Sequence, residues 1–183
     1  MLINILFLVI LILLNAYFAA TEIAFISLND TKIEKMAKEG NKKAKQIVRM
    51  LKNPSKFLAT IQIGITLAGF LSSAFASDTF ADILAPILNK VLPMISVDVW
   101  RGISIIIITI ILSFFTLVFG ELVPKRLAMK YYEKISFASI GVIKVIATVT
   151  APFVKLLTVS TNLVSKISVS YTHLRAHETR RHL

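Results

Sequence analysis

Phe119-Gly120-Glu121-Leu122-Val123-Pro124-Lys125 closes an apolar run that begins at Gly102 and is about long enough to cross a bilayer. The segment sets a carboxylate, a helix-weakening glycine and a proline at the end of that run. An ionisable side chain at or near bilayer depth is costly, and by default it is a functional group with a partner. Glycine and proline four positions apart release backbone carbonyls, which can then line a cavity. The chain therefore reads as a membrane helix bundle built around this break.

Working outward, the composition agrees. The chain has 183 residues, 56% of them hydrophobic, and its mean hydropathy is +0.76, which is too apolar for an ordinary soluble domain. One domain of three or four spanning or interfacial helices uses nearly all of this length and leaves no room for a large soluble catalytic domain. The formal charge is +11, but in a membrane protein basic residues first report topology. No basic face interleaved with stacking aromatics supports nucleic-acid binding. The absence of cysteine removes disulfides, thiolate catalysis and Cys-ligated metals.

Leu2 to Ala20 is almost continuously apolar, broken only by Asn4 and Asn15, and is the first expected span. No basic region precedes it and no clear cleavage site follows, so it reads as uncleaved. It runs into Thr21-Glu22-Ile23-Ala24, where Glu22 is either a buried polar partner or the end of the span. Asn29 to Lys56 carries nine basic residues against Asp30, Glu34 and Glu39, with apolar positions at helical spacing. This predicts a cytoplasmic basic helical hairpin, solvated or lipid-facing, turning at Gly40-Asn41 and stopping at Asn53-Pro54.

Phe57 to Ser77 is the second expected span, rich in small and hydroxyl residues such as Gly64, Thr66, Gly69 and Ser73 that suit close helix packing or oxygen ligation. Asp78 to Arg101, poor in basic residues, is expected outside as short interfacial helices broken by Pro86 and Pro93, with Trp100 as an interface anchor. Gly102 to Phe119 is the third span, so the N-terminus is expected outside and the C-terminus in the cytoplasm. Tyr131 to Ile167, with Lys134, Lys144, Lys155 and Lys166 recurring every ten or eleven residues, predicts an amphipathic juxtamembrane helix on the inner leaflet, bending at Pro152. Residues 168–183 hold all three histidines and differ in character from the rest. They read as a non-native adaptor- or vector-derived tail, so the four-residue spacing of His173 and His177 is not taken as a metal site.

The fold class is thus an all-α membrane protein with three transmembrane helices, a basic hairpin and an amphipathic juxtamembrane helix. Catalysis is poorly supported: residues 1–167 contain no histidine or cysteine, and no serine lies in a nucleophile-elbow or P-loop pattern. Hard divalent cations take oxygen ligands from carboxylates, hydroxyls and carbonyls. Glu121 and Glu22 offer carboxylates, Thr21 and Ser73 hydroxyls, and Gly64 and Gly120 backbone carbonyls if their helices are locally unwound.

Thr21-Glu22-Ile23-Ala24, the hairpin, Gln62-Ile63-Gly64-Ile65-Thr66-Leu67 and Gly120-Glu121-Leu122-Val123-Pro124-Lys125 occur in an order that resembles the transmembrane domain of the CNNM/CorC, or hemolysin-like, family. The resemblance covers residues 2–167. It implies a homodimer, a Mg²⁺ site facing an inward cavity, and Mg²⁺ export coupled to Na⁺; the bacterial inner membrane is expected from the positive-inside topology and the lack of a targeting presequence. Glu121 matches the family's carboxylate ligand, Thr21 a hydroxyl position in the first helix and Ser73 a serine of the second. Ile65 and Gly69 stand where better-characterised members have asparagines. Family members continue into CBS domains that this chain lacks, so it reads as a fragment. The competing expectation is a membrane scaffold or Mg²⁺ sensor that anchors such regulatory domains. A lytic hemolysin fits poorly with lysines dispersed among glycine-packed spans.

Overall fold

The computed structural model describes the backbone of residues 2–179 and, within it, all side chains except those of residue 78 and residues 167–179. The tail histidines therefore lie outside the described side chains. The described residues form seven α-helices and one π-helical turn: α1 (Leu2–Ile26), α2 (Asp30–Lys38), α3 (Lys42–Leu51), α4 (Pro54–Val91), α5 (Val97–Leu117), the π turn (Val118–Leu122), α6 (Val123–Val149) and α7 (Ala151–Thr179). Three helices are long and apolar enough to cross a membrane: α1, α4 and the one that begins at Val97. The expected all-α membrane fold is what forms.

The hairpin is α2 and α3, joined at Gly40, whose φ is +102°. Asn29 and Asn41 cap the two helices by accepting bonds from the backbone N–H groups of Lys32 and of Lys43 and Ala44. Its apolar face is neither solvated nor lipid-facing, contrary to expectation. Ile33, Ala37, Ala44 and Ile47 are buried in one cluster with Phe18 and Phe25 of α1, Phe57 and Ile61 of α4, and Ile140 and Ile143 of α6. Phe25 stacks on Phe57 with ring centroids 4.8 Å apart. Polar ties add direction: Lys32 pairs with Glu133, and Lys43 Nζ donates to the Phe137 carbonyl at 2.8 Å. The bond to Glu133 raises the pKa of Lys32. Helical spacing identified the apolar stripe, but only the return of α6 supplies the partner that covers it.

The second span differs more from expectation. Instead of stopping at Ser77 and giving way to interfacial helices, α4 runs unbroken to Val91 with Pro86 inside it. At roughly 1.5 Å per residue its 38 residues reach about 57 Å, far beyond a hydrocarbon core of about 30 Å. Pro86 removes one backbone donor, a loss that membrane helices tolerate when neighbours pack against them. The buried small residues Ala81 and Ala85 lie on this extended part of α4. Trp100, expected as an interface anchor, packs inward. It is 8% exposed, and its indole N–H donates to the Leu92 carbonyl at 3.2 Å, closing the short α4–α5 connection. Arg101 and Asp82 pair at 2.8 Å across the same end.

After the π turn the chain bends at Tyr131 (φ −116°, ψ 28°) within α6 and breaks at Thr150, next to the bend expected at Pro152. The juxtamembrane region is thus two helices in series, and α6 turns back against α1 and the hairpin.

Candidate functional site

Why the third span breaks where it does follows from Pro124. Proline has no N–H, and its ring crowds the carbonyl four residues earlier, which here belongs to Gly120. The helix widens into the π turn Val118–Leu122, closed by the Val123 N–H donating to the Val118 carbonyl. The released Gly120 carbonyl accepts a bond from Asn15 Nδ2 at 3.1 Å, joining the π turn to the middle of α1. Asn15 is 3% exposed, and its Oδ1 is buried without a hydrogen-bond partner, as is Thr116 Oγ1 one turn before Gly120.

Close approach depends on Gly120 itself. A Cβ there would meet Asn15 Nδ2 at 3.0 Å and the Ile12 carbonyl at 3.5 Å. Gly120→Ala is therefore expected to push Asn15 off the carbonyl and leave buried polar atoms unpaired, at a cost of about 1–3 kcal/mol. Thermal unfolding in detergent reads this directly, and an unchanged midpoint would show that the bond contributes nothing.

At the next residue, Glu121 meets a second carboxylate through a shared cation. Lys125 Nζ lies 2.8 Å from Glu121 Oε1 and 3.3 Å from Glu22 Oε2. All three side chains are partly buried, between 21% and 36% exposed. Two carboxylates and one ammonium leave the group with one net negative charge. Glu22, whose role the sequence left open, is a partner and not merely the end of the span. Lys125 is the bridge between α1 and the π turn.

The remaining expected residues fall elsewhere. Thr21 is fully buried, donates to the Tyr17 carbonyl at 2.8 Å and is hydrogen-bonded to Ser139 Oγ of α6 at 3.2 Å. Its hydroxyl is thus engaged in seating α1 on α6. Gly64 lies inside an unbroken stretch of α4, where a Cβ would sit 2.6–2.7 Å from the Phe18 ring, so it serves a close approach and not an unwound backbone. Ser73 is partly buried and forms no hydrogen bond among the described residues. Ile65 packs beside the apolar cluster, whereas Gly69 faces open space. The structure therefore brings together Glu22, Glu121 and Gly120 and adds Lys125, Asn15 and Thr116. Asn15 had a visible signal as an amide in the middle of an apolar span. Thr116, one hydroxyl among several, had none. Among the described residues no three His, Cys, Asp or Glu side chains cluster, so any ion held here takes ligands from hydroxyl, amide or carbonyl groups as well as from the two carboxylates.

Comparison with known proteins gives a consistent picture. Residues 6–180 match the family described as the cyclin M (CNNM) transmembrane N-terminal domain. A UPF0053 protein of Synechocystis sp. is 38% identical over 162 residues, covering 88% of this chain and 36% of its own length. The UPF0053 inner membrane protein YfjD of Escherichia coli is 27% identical over 154 residues, 84% of this chain and 32% of its own. A Haemophilus influenzae protein named polyamine export protein is 26% identical over 157 residues, 82% and 34% respectively. The chain thus spans about a third of the length of these relatives.

Proposed function

The chain belongs to the CNNM transmembrane-domain family, and on that premise we propose that it carries a cation across the inner membrane, with Mg²⁺ as the cargo and Na⁺ as the coupling ion. The observation that carries this reading is the pair of carboxylates, Glu22 and Glu121, held by one lysine beside the opened π turn. Lys125 acts as a tethered counter-ion. With Lys125 in place the pair is partly neutralised; when a divalent ion takes its position, both carboxylates are matched in charge and the ammonium swings away. Buried oxygens without partners, Asn15 Oδ1 and Thr116 Oγ1, lie beside the same opened turn and add neutral oxygen donors of the kind a hard cation takes. Return of Lys125 then helps to expel the ion, so the group suits transfer better than storage.

The three spans and an inner membrane protein among the relatives support an inner-membrane location; the homodimer, the N-terminus outside and the hairpin and C-terminus in the cytoplasm are part of the same proposal. No catalytic machinery is needed for this role. The scaffold or sensor alternative requires the same fold and no ion flux.

A second reading has its own support. The occupant of the two carboxylates is already a primary ammonium, and one relative is named for polyamine export. A polyamine could replace Lys125 with like for like.

The test is flux in proteoliposomes loaded with Mg²⁺ or with spermidine, for the parent chain and for Glu121→Gln. Mg²⁺ flux that falls at least tenfold in the variant supports the first reading, and a spermidine-selective loss supports the second. Absence of both fluxes, with normal folding, would leave the scaffold reading standing.

A further inference from the structure

We infer that the open-sided cavity lined by α3, the start of α4 and α6 is a binding site for a phosphate-bearing anion, with the headgroup of an anionic lipid as its occupant. The cavity, about 330 Å³, has an apolar floor that includes Phe57 and Ile140 and a rim carrying Arg49, Lys56 and Lys144. No carboxylate lines it. None of the three rim cations forms an ion pair among the described residues, although the chain pairs Lys32, Arg101 and Lys125 elsewhere. The floor is closed: Phe57 is 3% and Ile140 1% exposed, and the Thr60 hydroxyl is satisfied by the Lys56 carbonyl.

Three cations drawn from three helices repel one another when nothing sits between them, and a shared anion removes that repulsion. The location selects the kind of anion. Lys56 stands in the first turn of a spanning helix, and Leu58 and Val145, next in sequence to the lining residues Phe57 and Lys144, are exposed apolar side chains of the kind that faces acyl chains. The cavity is therefore level with the headgroups of the leaflet that the hairpin meets, where basic pockets between helices recognise anionic lipid. Gln46 and Asn53, also on the lining, supply neutral donors for phosphate oxygens.

The experiment purifies the full chain in detergent and follows its thermal midpoint and retained lipid, by native mass spectrometry, with added phosphatidylglycerol, phosphatidylcholine or inorganic phosphate. The comparison is among the parent, Lys56→Gln, the triple variant Arg49→Gln/Lys56→Gln/Lys144→Gln, and a charge-matched control, Lys35→Gln/Lys42→Gln/Lys45→Gln, whose exposed lysines lie outside the cavity. Each rim cation is expected to contribute about fivefold to phosphatidylglycerol affinity and the three together about a hundredfold. The control should retain the lipid. Stabilisation by phosphatidylglycerol but not by inorganic phosphate identifies a lipid headgroup, whereas stabilisation by phosphate itself, lost in the triple variant, identifies a free phosphate in the same site. Equal losses in triple variant and control, or equal retention of phosphatidylcholine and phosphatidylglycerol by the parent, would overturn the inference. Should the triple variant fail to fold, the single Lys56→Gln variant carries the test through its fivefold effect.

Discussion

On the proposed Mg²⁺ reading, Lys125→Gln is expected to bind Mg²⁺ about tenfold more tightly than the parent chain while transporting it more slowly. The ammonium contacts both Glu121 and Glu22, so an incoming ion must displace it. Partly exposed ion pairs contribute up to about 1 kcal/mol each, which places the combined competition near one decade in affinity. Removing the competitor leaves two carboxylates without a counter-charge, and a divalent ion fills that need. Release is then impaired, because nothing tethered returns to the site. Isothermal titration together with proteoliposome flux separates the two effects. Equal affinity in parent and variant would show that Lys125 is a structural strut and not a stand-in for cargo. Glu22→Gln makes the complementary case: it should weaken Mg²⁺ binding even though Glu22 lies on a different helix from Glu121.

Gly64→Ala is expected to destabilise the bundle by about 1–3 kcal/mol, the range for overpacking a closed site. The added methyl would lie 2.6–2.7 Å from three atoms of the Phe18 ring. That ring is 4% exposed within the main apolar cluster and has no empty side to move into. Pairing the change with Phe18→Leu should recover part of the loss, since the shorter side chain vacates the contested space, and the two effects should be clearly non-additive. Thermal midpoints in detergent check this. A Gly64→Ala chain as stable as the parent would mean that α1 and α4 are not held at the distance described.

Much of the architecture was legible because lipid imposes strict rules on sequence. Spans must be long and apolar, and charge between them must be arranged by side; α1, the hairpin and the third span follow from those rules. The errors share one cause. Pro86 and the acidic residues around it looked like an interruption of the second span, yet α4 continues through them because a neighbouring helix makes the loss of a single backbone bond tolerable. Trp100 read as an anchor, and its bond to the Leu92 carbonyl, which closes the α4–α5 connection, left no trace in the sequence. At Pro86 a local signal was outweighed by a neighbour that no local window contains.

The candidate site divides along the same line. Sequence by itself determined that residues 119–125 form a break, because Pro124 cannot donate to Gly120 whatever surrounds them, and that Glu121 is an exposed cost in need of a partner. Only the tertiary structure decided what the partners are. Asn15 lies 105 residues from the carbonyl it satisfies, and Glu22 meets Glu121 only through Lys125. Backbone chemistry fixes where a helix must open, whereas the groups that fill the opening come from wherever packing brings another helix within hydrogen-bond reach.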